Sequence, residues 1–116
     1  MAILTDEQQM IRDLVRDFAQ AELDPLAPRL DEERRFPEES LPKLAALNLL
    51  GLTTPAEYGG AGVDAVSYAV AVEEVARVCA STALVLVAHN SLAAFPVLRR
   101  GSEAQRRRFL VPLAQG

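Results

Sequence analysis

From Val78 to Leu98 the chain carries no lysine, arginine, aspartate or glutamate, and everything else must pack around this run. It has the length of a membrane span. His89, Asn90, Ser91 and Pro96 interrupt it, so a buried helix is expected rather than a span. The Leu84-Val85-Leu86-Val87 stretch reads locally as a strand by side-chain type. No neighbouring segment supplies a partner strand or hairpin turn, and the apolar run is long. A helix over residues 82–98 is therefore expected, ended or kinked at Pro96.

The segment before it, residues 65–80, is also apolar on most sides, broken by Glu73, Glu74 and Arg77. One of the two glutamates is expected half buried beside a cation such as Arg77. Two successive helices that are apolar nearly all round need cover on every side. A chain of 116 residues buries only part of its own surface. Some apolar area is thus left for something outside these residues.

The amphipathic partners lie nearer the start. Thr5 and Gln8 have the spacing of a capping box. Behind them Ile11, Leu14, Val15 and Phe18 recur at helical intervals, with Arg12, Asp13, Arg16 and Asp17 opposite. Asp24-Pro25 reads as an N-cap followed by proline at the first helical position. Residues 36–50 carry a stripe of Leu41, Leu44, Ala45 and Leu47, with Asn48 as a left-handed terminator. Pro55 with Gly59, Gly60 and Gly62 makes residues 53–64 a loop. Ser102 and Gln105 open a last helix leading to Phe109, Leu110 and Leu113. The expected fold class is all-α, a bundle of about five to six helices with a Gly-rich connecting loop.

The candidates for chemistry are few. Gly59-Gly60-Ala61-Gly62 matches neither phosphate-binding glycine pattern and follows no strand, so it reads as a connection. His89 is the sole histidine and has no metal-ligating neighbours in sequence, so no metal site is expected and a hydrogen-bonded boundary role is. Cys79 is the sole cysteine, which fits a reducing, cytoplasmic setting and a small buried hydrophobe. Met1 leads into polar residues without a basic stretch and apolar core behind it, so no signal peptide is expected. The glutamate pairs 32/33, 38/39 and 73/74 are adjacent in sequence and cannot converge on one bond.

The net charge of −4 argues against nucleic acid as a partner. Residues 97–116 hold five arginines and one acidic residue, a net +4, which leaves −8 on residues 1–96. Helix C-termini and an exposed face account for most of that basic concentration. A patch that meets an acidic partner or a phosphate is the lesser reading. No nucleophile, base and oxyanion site assemble, and no catalytic residue is assigned.

Six segments in order resemble the acyl-CoA dehydrogenase family along nearly the whole chain. They are Leu4-Thr5-Asp6-Glu7-Gln8, then Phe36-Pro37 running into the leucine-rich helix that ends Asn48-Leu49-Leu50-Gly51-Leu52 as one segment. The loop Pro55-Ala56-Glu57-Tyr58-Gly59-Gly60-Ala61-Gly62 follows, then Glu73-Glu74-Val75-Ala76-Arg77. His89-Asn90-Ser91-Leu92 precedes Pro96, and Gly101-Ser102-Glu103-Ala104-Gln105 leads to Phe109-Leu110 and Pro112-Leu113-Ala114. Asn48 stands where the family commonly has glycine, a substitution that keeps the left-handed conformation open.

The resemblance implies that residues 1–116 are the family's N-terminal helical domain, with a β-barrel-like middle domain and a C-terminal helical domain beyond Gly116. It implies FAD held mainly by those domains and α,β-dehydrogenation of an acyl-CoA thioester by a glutamate base outside this chain. It also implies electron-transfer flavoprotein as acceptor and a homotetramer when full length. The fifth helix lines the acyl tunnel in that family, which makes Leu84, Val85, Ala88 and Leu92 the candidate substrate-contacting residues. Plain core packing predicts the same residue types. A related acyl-CoA oxidase or nitroalkane oxidase shares the resemblance, and a stand-alone helical interaction module is the reading from another class.

Overall fold

The computed structural model describes residues 3–116. Those residues form six helical rods and no strand: α1 (6–23), α2 (Ala27–Glu33), α3 (Ser40–Ala46), α4 (Ala65–Val78), α5 (Ala80–Arg100) and α6 (103–115). Short 3-10 turns at Leu49–Gly51 and Ala56–Tyr58 shape the connection between α3 and α4.

The caps follow from sequence chemistry. Thr5 Oγ1 accepts from the Gln8 backbone and the Gln8 side chain accepts from the Thr5 backbone. Ser102 and Gln105 repeat the arrangement at α6. Gln8 is used twice, because its Nε2 also donates to Asp64, the residue that caps α4 at Ser67. The starts of α1 and α4 are thereby tied together. Asn48 takes the left-handed conformation, φ +60°, at the end of the α3 segment.

Other expectations need correction. Asp24 is not an N-cap: it has helical angles, and α2 begins only at Ala27, with proline in its first turn at Pro28. The helix foreseen over residues 36–50 spans only Ser40–Ala46, because the Phe36 and Pro37 carbonyls are taken by turn bonds from Glu38 and Ser40. Pro96 neither ends nor breaks α5, which runs through it.

The reason lies in the backbone. The residue just before Pro25, Pro96 and Pro112 donates its N–H five residues back: Asp24 to Ala19, Phe95 to Asn90, Val111 to Arg106. Each is the close of a π-helical stretch, at Ala19–Leu23, Ala88–Ala94 and Arg106–Leu110. Proline removes an N–H and crowds the carbonyl four residues back. One extra residue in the turn widens the spiral and relieves that crowding. The helix therefore absorbs a proline that a strict α-helix would not.

α4 lies between α1 and α5 and supplies the centre of the main core. Val15 and Leu23 of α1, Leu44 of α3, Val75 of α4 and Leu86 of α5 are fully buried there. A smaller cluster of Tyr58, Ala94 and Leu110 joins the end of α5 to α6. Leu14, expected on the packed face of α1, is exposed. α5 has the length and composition of a span, but its buried positions form one stripe: Thr82, Ala83, Leu86, Asn90 and Ala94. The expected burial is thus confined to one side.

Candidate functional site

The other side of α5 is the most unusual surface of the molecule. Leu84 is 69% exposed and Leu92 is 74% exposed, with Phe95 also largely open. Ala88 lies between the two leucines and is half buried. Residues four apart stack along one helix face. Leu84, Ala88 and Leu92 therefore form a ridge, and Val85 stands at its edge.

A cleft lies along each flank. Toward α3, Val85 and His89 face Phe36, Leu41, Ala45 and Leu50 across a cleft of about 590 Å³. Toward α4, Ser91 and Phe95 face Val63, Ala65 and Tyr68 across one of about 460 Å³. The four residues singled out from sequence are brought together on one face, although only Val85 of the four lines a cleft. The polar break His89-Asn90-Ser91 does the positioning.

Each of those three residues bonds to a different element. His89 Nε2 donates to the Leu113 carbonyl of α6 at 2.6 Å, which fixes Nε2 as the protonated ring nitrogen. Asn90 is fully buried. Its Nδ2 donates to the carbonyls of Leu49 and Leu86, both at 3.1 Å, and its Oδ1 faces the backbone and hydroxyl of Thr53 at 3.4 Å. Ser91 Oγ pairs with the Tyr68 hydroxyl of α4 at 2.9 Å. One widened helical turn thus orients the ridge from three directions. Sequence reading took these residues as an interruption of an apolar run and missed Asn90 as a hub. A polar amide amid apolar neighbours, with a burial cost that demands partners, was the available signal.

Further down α5, Thr82 is buried between the Ser40 hydroxyl at 3.0 Å and Cys79 Sγ at 3.1 Å. Cys79 is buried, as its apolar setting suggests. On α4, Glu74 is buried more fully than expected, and its main partner is Arg16 of α1, with Arg77 at 3.3 Å. The hydrogen bonds from Arg16 hold its carboxyl below the usual glutamate range, against the opposing push of burial.

The glycine loop closes on itself. The carbonyls of Thr54, Gly51 and Pro55 accept from Gly62, Ala61 and Gly60 respectively. A Cβ at Gly60 would stand 2.0 Å from the Thr54 carbonyl oxygen. The loop's amides at Gly60, Ala61 and Gly62 are therefore committed to the fold. Buried hydroxyls without a partner are found at Thr54 and Ser67, and neither lines the two clefts beside the ridge. Among the described residues no three of His, Cys, Asp and Glu converge as a metal site would need.

The chain is an all-helical bundle in which one face of the apolar helix α5 stands open. The profile described as "Acyl-CoA dehydrogenase, N-terminal domain" matches residues 5–116, and the chain belongs to that family. It is 45% identical over 113 residues to the short-chain specific acyl-CoA dehydrogenase of Clostridium acetobutylicum, covering 97% of this chain and 30% of that one. Among solved structures it is similar to butyryl-CoA dehydrogenase from Megasphaera elsdenii, with TM-score 0.89 and 37% identity over 99% of this chain and 31% of that one. A chain in the structure described as the electron transferring flavoprotein of Acidaminococcus fermentans superposes with TM-score 0.94 and 36% identity, over 100% of this chain and 30% of that one. The chain thus spans about 30% of the length of the relatives it matches.

Proposed function

We propose that this chain is the N-terminal helical domain of an FAD-dependent acyl-CoA dehydrogenase and that Leu84, Val85, Ala88 and Leu92 form one wall of the tunnel for the acyl chain. The observation that carries this reading is the apolar ridge of α5, exposed in a chain of this family and held rigid by His89, Asn90 and Ser91. An alkyl chain laid on such a wall gains about 0.8 kcal/mol per buried methylene. The wall binds and excludes water but moves no proton.

In the same reading, the middle and C-terminal domains lie outside residues 1–116 and hold the FAD, which supplies the acceptor for the β-hydrogen. A carboxylate base also belongs to those domains. The whole enzyme is cytoplasmic, assembles as a homotetramer and passes electrons to an electron-transfer flavoprotein. Family membership supports the flavin and the flavoprotein acceptor. The test uses the full-length protein: butyryl-CoA added without oxygen is expected to bleach the flavin absorbance. An intact flavin spectrum with every straight-chain acyl-CoA, or bleaching by a nitroalkane alone, overturns the reading. Rapid reoxidation by oxygen rather than by electron-transfer flavoprotein would assign the chain to the oxidase branch.

A further inference from the structure

Where α5 meets α6 five arginines gather, and three of them have no ion-pair partner among the described residues. Arg106 is committed: its Nε donates to the Leu98 carbonyl at 3.0 Å and its head group faces Glu103 at 3.7 Å. Arg107 is committed too, to Glu103 at 2.9 Å and to the Glu57 carbonyl at 2.9 Å, with its guanidinium over the Tyr58 ring. Arg99, Arg100 and Arg108 have no carboxylate within 4.0 Å among the described residues. Two of them rest on aromatic faces, Arg99 at 6.0 Å from the Phe95 ring centre and Arg108 at 5.1 Å from that of Phe109. Phe95 is 51% exposed and Phe109 45%. Phe109 and Arg100 also line a slot of about 350 Å³ floored by Pro96, Val97 and Gly101.

We propose that this end of the molecule docks an acidic peptide segment of a partner protein, with an apolar side chain in the slot beside Phe109 and carboxylates on Arg99, Arg100 and Arg108. The C-terminal dipole of α5 does not account for the cluster. Its Leu98 and Val97 carbonyls are already taken by Arg106 and by the Gly101 N–H, and Arg108 lies on the next helix. A guanidinium pairs with a carboxylate in a planar two-point geometry. A cation already laid over a ring loses little further freedom on binding. Exposed phenylalanine beside arginine is also the composition of interface anchors.

Charge distribution selects the partner. Residues 97–116 are +4 while residues 1–96 are −8, so the field turns this end toward an acidic chain. An extended anionic membrane would meet the acidic remainder of the surface as well, which favours a short acidic segment that touches only this end.

The test measures fluorescence anisotropy of a labelled peptide, alternating Asp and Glu around one central Leu, against the full-length protein. Binding is expected at low salt, weakened about tenfold by raising salt from about 0.05 to about 0.3 M as exposed charges are screened. The triple change Arg99→Glu, Arg100→Glu, Arg108→Glu is expected to weaken it at least about tenfold. Phe109→Ala, or Ser for the central Leu, is expected to weaken it severalfold. If the reversed triple unfolds, as judged by helical circular dichroism, the milder Arg→Gln triple is used with the same expectation. Binding no better than that of an uncharged Gly/Ser peptide, or unchanged in the folded triple, overturns the proposal. So does attachment to phosphatidylserine vesicles without peptide binding. Flavin content and turnover are not read in this assay, so its outcome is separate from that of the dehydrogenase reading.

Discussion

Arg16 on α1 grips Glu74 on α4 with two hydrogen bonds, Nη2 to Oε1 at 2.8 Å and Nε to Oε2 at 3.1 Å. The glutamate is buried and the arginine partly open, so the pair sits at the edge of the main core with Arg77 as second cation. This clasp and the Gln8–Asp64 contact are the polar links between the first helix and the core helix.

Removal of the carboxylate leaves Arg16 without its partner at that edge. Glu74→Gln is expected to destabilise by only about 1 kcal/mol, because Arg16 is partly open and solvent screens the pair, and Glu74→Ala by more. Urea unfolding of the full-length protein, followed by the helical signal, checks both. The folded carboxyl titrates below its ordinary value near 4.5, so its stabilisation is fully present above that value and fades as pH falls through the lower folded value. The wild type is therefore expected to lose stability on acidification more steeply than Glu74→Gln.

Asn90→Leu removes four contacts at once and strands the carbonyl of Leu49. A loss of about 2–3 kcal/mol is expected, from an unsatisfied buried acceptor and a poorly fitting side chain. Thermal unfolding reads it. Asn90→Ala is expected to lose a similar amount through the vacated volume.

Gly60→Ala places a methyl group against the Thr54 carbonyl, which is backbone and cannot swing away. The loop is expected to open, at a cost of at least about 2 kcal/mol. Gly62→Ala, where the obstacle is a left-handed φ of +59° rather than a clash, is expected to cost less, about 1 kcal/mol. Equal stability of Gly60→Ala and wild type, by the same unfolding assay, would be contrary to the loop geometry.

The caps at Thr5 and Ser102, the Asn48 terminator and the all-helical class were legible because each depends on neighbours in sequence. Glu74 was half legible: the interruption of an apolar helix is visible in the sequence, but its main partner is 58 residues away on α1. Pro96 misled, since the rule that proline stops a helix assumes a four-residue turn and the chain uses a five-residue one. Leu84, Ala88 and Leu92 came from resemblance. Their composition suits a core equally well, and it is the fold that leaves Leu84 and Leu92 in the open.

The ridge itself is tested most directly by steady-state kinetics of the full-length enzyme on straight-chain substrates from butyryl-CoA to palmitoyl-CoA. Ala88→Phe and Leu92→Trp fill the space above the ridge. If α5 is a tunnel wall, each is expected to lower kcat/KM for the substrates that reach it by about tenfold, equivalent to about 1.4 kcal/mol, with shorter chains spared and flavin content unchanged. A uniform fall across all chain lengths, or no change at all, would contradict a wall at Leu84, Val85, Ala88 and Leu92.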